Sequence, residues 1–181
     1  KKPEKLVLKN KSEASYKLID IFYHQDERGN FQKVYNKDVF EANGIKMKIE
    51  ESYISISKKN SLRGMHYQKE PYGHDKLVAC VNGKALDVCI DLRMESKSFG
   101  KIDSVIIEPG SKAIFVPRGV AHGFYALEDN TIMTYYTSSV YNKKYDSGIL
   151  WSSIGFNCPD ANPKISERDQ KHPLFSEIKD D

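Results

Sequence analysis

The chain has 181 residues, which suits one domain in the usual range of roughly 100–200 and buries about 70% of its unfolded surface without disulfides or metals. With 39% hydrophobic and 29% charged residues, and no apolar run near the ~18 residues of a transmembrane helix, it is neither disordered nor membrane-embedded. A net charge of +3, divided into 23 scattered Lys and only five Arg, makes no nucleic-acid-binding stripe.

In chain order, the opening Lys1-Lys2-Pro3-Glu4-Lys5 has no apolar core behind it and reads as no signal peptide. The missing initiator Met suggests that a few residues have been trimmed. Asp26-Glu27-Arg28-Gly29-Asn30 is a turn, and Lys37 to Asn43, closed by Gly44, is a short helix. Tyr53 to Ser57 alternates as a strand, and Leu77 to Val81 is a continuous apolar strand. If Asn82-Gly83 closes a two-residue hairpin, Val81 faces Lys84 and Cys80 faces Ala85. Cys89 then lies roughly 13 Å along the strand, too far from Cys80 for a disulfide. Three cysteines and no C-x-x-C suit a reducing cytoplasm.

From Ala85 to Leu92, Leu86, Val88, Ile90 and Leu92 take one face and Asp87, Cys89 and Asp91 the other. Val105 to Ile107 and Ala113 to Val116 flank Pro109-Gly110, a pairing suited to a type II turn. Glu128-Asp129-Asn130 is a turn and Ile132 to Thr137 a strand. After Gly148 the pattern is irregular, with Pro159, Pro163 and Pro173, a tail expected to wrap the β body. Many short strands between regular turns predict an all-β sandwich, jelly roll or barrel. No repeat or low-complexity linker divides residues 1–181, so a single domain is expected.

Of five histidines, His24, His74 and His172 lie in polar stretches and read as surface residues. His66 and His122 lie among apolar residues and glycines. One reading of that pair is metal binding: Gly110 to His122 resembles the second signature of the cupin jelly rolls. The first signature's second His is replaced in His66-Tyr67-Gln68, and Glu70 stands at the wrong spacing. Two histidines make a poor cage for an ion that wants three or more protein ligands. A second reading is that both are buried structural residues. A third is acid–base catalysis, because a histidine accepts a proton near neutral pH and works better with a carboxylate behind it.

Leu62-Arg63-Gly64-Met65-His66-Tyr67-Gln68 resembles the core signature of the dTDP-4-dehydrorhamnose 3,5-epimerase family. So do Lys76-Leu77-Val78, Asp87-Val88 with Asp91-Leu92-Arg93, Ser98-Phe99-Gly100, Pro117 to Phe124, and Gly148-Ile149-Leu150-Trp151. Asp26 to Phe31 resembles the family's D-x-R-G-x-F arm, and Ser166-Glu167-Arg168-Asp169 its closing S-x-[RK]-D. The matches run in order from about residue 20 to 175.

The resemblance implies a cupin-like jelly roll, or double-stranded β-helix, with a few short helices. It implies an isomerase that epimerises a nucleotide-diphosphate-linked 4-keto sugar at C3, C5 or both, without cofactor or metal. The C4 ketone acidifies both positions, so the chemistry needs a base, an opposed acid and donors at O4. By the same resemblance His66 is the base, Asp169 its carboxylate, Tyr135 the acid, and Lys76 with His122 the groups facing the ketone. Arg63 and Arg168 line the diphosphate site, where a guanidinium fork suits paired oxygens, and Tyr141 lies near the nucleotide base. The family pattern is a homodimer with exchanged arms, in which Arg28 and Phe31 complete the partner's site.

The family's Gln-x-Asn-x-Ser-x-Ser is here Glu51-Ser52-Tyr53-Ile54-Ser55-Ile56-Ser57, so Glu51 and Tyr53, with Ser55, are expected at the sugar. A Glu that only accepts, in place of an amide, changes which hydroxyls fit. Those departures suggest a different sugar, such as a GDP-linked 4-keto heptose or 6-deoxy-heptose of a surface-polysaccharide pathway. The alternative is a true dTDP-4-dehydrorhamnose 3,5-epimerase. Further alternatives are a metal-dependent cupin enzyme and a non-catalytic sugar-binding module.

Overall fold

A computed structural model describes residues 15–178; the reading of Lys1 to Lys5 therefore lies outside the described residues. The strands are β1 (Lys17–Asp20), β2 (Phe22–Asp26), β3 (Gly29–Lys33), β4 (Glu51–Ser57), β5 (Leu62–Gln68) and β6 (Lys76–Asn82). They continue as β7 (Ala85–Asp91), β8 (Ile102–Ile107), β9 (Lys112–Val116), β10 (Val120–Ala126), β11 (Thr131–Thr137) and β12 (Asp146–Gly148). Two short helices, α1 (Lys37–Ala42) and α2 (Glu167–Gln170), complete the regular structure with two 3-10 turns. Among the described residues, no helix is long and apolar enough to cross a membrane.

Two five-stranded sheets, ordered β1-β9-β6-β11-β4 and β12-β5-β10-β7-β8, face one another, and β2 and β3 form a separate two-stranded ladder. The strands pair antiparallel throughout. This is the expected cupin-like jelly roll. Between the sheets lies a central cluster that includes Val78, Cys80, Ile107, Ile114, Phe124 and Met133. The outer face of the first sheet is covered by α1 and its following loop, through Phe40, Ile45 and Met47 on Leu77, Ala79 and Phe115. The outer face of the second is covered by the C-terminal segment, with Ile149, Ile154, Phe156 and Phe175 on Val88 and Ile90. The irregular tail thus wraps the β body as its sequence suggests.

This layering explains why β6 is apolar without alternation. Leu77 and Ala79 enter the outer cluster while Val78 and Cys80 enter the inner one, because successive side chains point to opposite faces and both faces are covered.

The same layering corrects one pairing. β6 and β7 belong to different sheets, so Asn82-Gly83 is a crossing between sheets and not a hairpin. At Pro109-Gly110 the expected turn is present, with the Ser111 N–H on the Glu108 carbonyl at 3.0 Å and Gly110 at φ +79°, and it too leads from one sheet to the other. Local turn chemistry specifies a reversal of the chain but not whether the next strand rejoins the same sheet. Cys80, Cys89 and Cys158 are free thiols.

In β7 the alternation is as predicted. Val88 and Ile90 face outward beneath the tail, while the face carrying Asp87 and Cys89 turns into the barrel. An aspartate can occupy that interior only with a partner.

Candidate active site

Strand parity assembles the site. Lys76 lies in register with Val78 and Cys80, Asp87 with Ala85 and Cys89, His122 with Val120, and Tyr135 with Met133, and all those neighbours belong to the central cluster. Four polar side chains therefore point between the sheets. Across the second sheet, Gly148, His66, His122 and Cys89 stand abreast in consecutive strand pairs.

His66 is anchored from the tail. Lys164 pairs its backbone with Asn60 and Leu62 at 2.8 and 2.9 Å, which brings the next turn beside β5. Ser166 caps α2, its Oγ accepting from the Asp169 N–H at 3.1 Å. Asp169 is thereby aimed at β5, where its Oδ1 lies 2.6 Å from Nε2 of His66 and its Oδ2 accepts from the Gly64 N–H at 3.1 Å. Gly64 must be glycine: its φ is +132°, and a Cβ would lie 2.6 Å from Cα of Gly123, a conformation and an approach that only glycine tolerates.

Burial tends to raise the Asp169 carboxyl, yet the bonds from His172, His66 and Gly64 outweigh it and hold the group well below the ordinary carboxylate range. Burial lowers His66 against the opposing pull of Asp169, and nearby Lys76 and Arg168 lower it further. The pair at neutral pH is a neutral imidazole on an anionic carboxylate. With Nε2–H donated to Asp169, Nδ1 keeps its lone pair free to accept a proton.

His122 makes the second pair, with its Nε2 2.6 Å from Oδ2 of Asp87, both side chains buried. Burial pushes the Asp87 carboxyl up, and His122 and Lys76 pull it back. Burial lowers the Lys76 ammonium, opposed by Cys89, Asp87 and Asp146.

A cleft of about 440 Å³ opens over these groups, and its lining includes Glu51, Tyr53, His66, Lys76, Tyr141 and Arg168. A groove beside it is bordered by Arg63, His66, Arg168 and Asp169, so His66 stands between the two. Tyr135 is a layer deeper. Its ring stacks on Tyr53 at 4.6 Å and its hydroxyl lies 3.0 Å from Ser55 Oγ. Burial raises the Tyr135 phenol above its ordinary range and the Tyr53 phenol to about 12, so both hydroxyls stay protonated at neutral pH.

Glu51 is committed to the Tyr141 N–H at 2.8 Å, and Arg168 to Asp146 at 2.8 Å. Arg63 donates to Ser57 Oγ at 3.0 Å. Arg28 and Phe31, on the β2–β3 ladder, stand outside both depressions; Arg28 is exposed and pairs with Asp26 at 2.6 Å.

The sequence reading missed four contributors. Asp87 was placed within a motif without a role. Gln68 and His74 line the cleft, and His74, read as a surface residue, is lowered to about 4 by burial, with Lys76 and Arg118 adding to the shift. His172, also read as surface, is nearly buried and lies 2.9 Å from Asp169 Oδ1. An aspartate in the middle of a strand between Leu86 and Val88 was the one legible signal, pointing to Asp87.

Among the described residues, potential metal donors converge within 4.8 Å at His66, Asp169 and His172, a group without the second cupin histidine, His122. A larger hollow of about 870 Å³ lies by Leu92, Arg93, Met94 and Arg118. It contains none of the paired histidines and has no chemistry to rank it above the smaller cleft.

A family model for dTDP-4-dehydrorhamnose 3,5-epimerase matches residues 13–177. A dTDP-4-dehydrorhamnose 3,5-epimerase of Shigella flexneri is 43% identical over 148 residues, which is 80% of this chain and 82% of that protein. The crystal structure of such an enzyme from Bacillus anthracis with TDP and PPi bound superposes with a TM-score of 0.84 at 33% identity, covering 88% of this chain and 94% of that one. A dTDP-6-deoxy-D-glucose-3,5-epimerase from Legionella pneumophila in complex with dTDP-4-keto-L-rhamnose has a TM-score of 0.86 at 28% identity, covering 94% and 93%.

Proposed function

This chain belongs to the dTDP-4-dehydrorhamnose 3,5-epimerase family and is a sugar-nucleotide epimerase; on that premise we propose that it inverts C3 and C5 of dTDP-4-keto-6-deoxyglucose. The observation that carries the reading is His66, 2.6 Å from the buried carboxylate of Asp169, on the wall of a cleft that also presents Lys76. The expectation of a GDP-linked heptose is withdrawn in favour of the thymidine nucleotide. It rested on Glu51 and Tyr53, and Glu51 turns one carboxylate oxygen to the Tyr141 backbone, which gives its departure from the family's Gln an internal use. The named relatives act on dTDP sugars.

In the proposed reaction, Nδ1 of His66 removes the proton from C5 or C3, and the electron pair passes into the C4 carbonyl to give an enolate. Lys76 and the His122–Asp87 pair stabilise charge at O4. Tyr135 returns a proton from the opposite face, and the enolate collapses to the ketone. The imidazolium and phenolate left behind exchange protons through solvent before the second inversion. Arg63 and Arg168 bind the diphosphate, and Tyr141 stacks near the nucleotide base.

Incubating the protein with dTDP-4-keto-6-deoxyglucose in heavy water is expected to place deuterium at C3 and C5 and to yield the inverted sugar. No incorporation from that substrate would overturn the reading. In the same assay Tyr135→Phe should retain exchange while completed inversion falls about 10²-fold or more. Tyr53→Phe, which keeps the stacked ring, should invert normally. Normal turnover by Tyr135→Phe would remove that residue from the acid's role.

We also infer a homodimer with exchanged arms. The β2–β3 ladder joins neither main sheet and exposes Phe22 and Phe31, and β4 is an edge strand with Ile54 and Ile56 exposed. Such an apolar edge calls for a cover. If Arg28 serves the partner's site, mixing inactive His66→Asn protomers with Arg28→Ala protomers should restore activity, because one hybrid site regains both residues. Mixtures no more active than the sum of their parts would refute the exchange.

A further inference from the structure

The mechanism above leaves one buried titratable side chain beside the base without a role. His172 follows α2 in Gln170-Lys171-His172-Pro173, yet its side chain is only 10% exposed. Its Nε2 lies 2.9 Å from Asp169 Oδ1, the same oxygen that His66 approaches at 2.6 Å. Its ring meets the His66 ring edge-on, with centroids 5.7 Å apart and planes at 75°.

The space for that ring is provided by the sheet. Gly148 is the register partner of His66 on β12, and a Cβ there would lie 2.5 Å from two atoms of the His172 imidazole. A side chain at 148 and the ring of His172 cannot coexist in this arrangement.

Resting on the reading of His66 as the base, we infer that His172 is a positioning residue that completes a His66–Asp169–His172 triad and sets how basic His66 is. Asp169 is then gripped at three points: two imidazole N–H groups on Oδ1 and the Gly64 N–H on Oδ2. A carboxylate so held cannot rotate, and His66 keeps Nδ1 turned outward. The second donor also draws on the negative charge that would otherwise stabilise a protonated His66, because a hydrogen bond to the charged form of a carboxylate favours that charge where it stands. His172 therefore keeps His66 a readily released base, free at neutral pH to accept and then shed its proton.

Other charges face His66 as well. Arg168 adjoins Asp169, with Nε 3.5 Å from Oδ1. Lys76 comes from β6, and Glu51, His74 and Asp146 line the cleft. His122 with Asp87 stands on the neighbouring strands. None of these shares the Asp169 oxygen in the way His172 does, so the effect of removing His172 is separable by its direction.

The test is the pH profile of kcat/KM on dTDP-4-keto-6-deoxyglucose. His172→Ala should move the acidic limb to higher pH by about half a unit and lower kcat about 10-fold with KM little changed. His172→Gln, whose amide N–H can reach the same oxygen, should restore the wild-type limb. A merely structural His172 would lower stability in the alanine variant and leave the limb where it was, and that result overturns the triad. Should the alanine variant not fold, histidine nitrogen NMR of the unaltered protein decides. Both His66 and His172 are expected as Nε2–H tautomers, and an Nδ1–H tautomer at His172 overturns the inference. His66→Asn separates the two levels. If it retains turnover, the base assignment itself fails; if it is dead while His172→Ala keeps the wild-type limb, only the triad fails.

Discussion

His66→Asn is expected to lose at least about 10³-fold in kcat, with deuterium exchange lost at C3 and C5 together, since positioned general bases contribute about 10²–10⁴-fold and both inversions use the same nitrogen. An asparagine amide is too short to replace Nε2 at Asp169 and has no basic nitrogen to accept a carbon-bound proton. The fold should persist, because the His66 side chain is 28% exposed and Asp169 keeps its contacts with His172 and the Gly64 N–H. Circular dichroism and dTDP binding near wild-type values, together with absent exchange, would identify the loss as chemical. The wild-type protein carries a matching signature. Burial lowers His66 beneath its ordinary 6.5, so activity should hold at neutral pH and fall only as pH drops below that value. Residual exchange above one part in a hundred in His66→Asn would point to a different base.

Much of this site was legible because it sits on strands. His66, Lys76, His122 and Tyr135 occupy positions whose motif order and strand parity both survive in three dimensions. The inner and outer faces of β6 and β7 could not be assigned from one sequence, since both faces are covered and either could be the core. Hence Asp87 was seen on the polar side of an alternation that in fact faces the barrel interior. The two sheet crossings at Asn82-Gly83 and Pro109-Gly110 escaped for a related reason: a turn is a local property, while the choice of sheet depends on strands far away in the chain.

His172 and His74 were misread through their neighbours. Gln170, Lys171 and Asp75 are polar, but the tail folds back over β5 and β12 and carries His172 inward, and His74 lines the cleft. Long-range return of an irregular segment leaves no period in the sequence. Asp169 was legible only through its family motif, as its 103-residue separation from His66 lies beyond any spacing rule.

That long-range contact carries the second large effect. Asp169→Asn should lower kcat by about 10²–10⁴-fold, the range seen when a general base loses the group that orients it. The amide keeps the shape but not the charge, and its nitrogen, a donor, would face one of three N–H groups from His66, His172 and Gly64. Either His66 turns to its other tautomer, which removes the free Nδ1 lone pair, or a buried donor is left unpaired. Stability should fall too, by about 3 kcal/mol at neutral pH, as when one partner of a buried pair is removed. The sign of its pH dependence follows from the lowered Asp169 carboxyl. A depressed folded-state value stabilises the fold above the ordinary carboxylate range, and that contribution is lost as pH falls toward the lower folded value. The gap between wild type and Asp169→Asn in urea should therefore be widest at neutral pH and narrow as pH falls below about 4. A gap constant from neutral pH into that acid range would mean that Asp169 is held by shape and not by charge, and the neutral His66 on an anionic partner would lose its support.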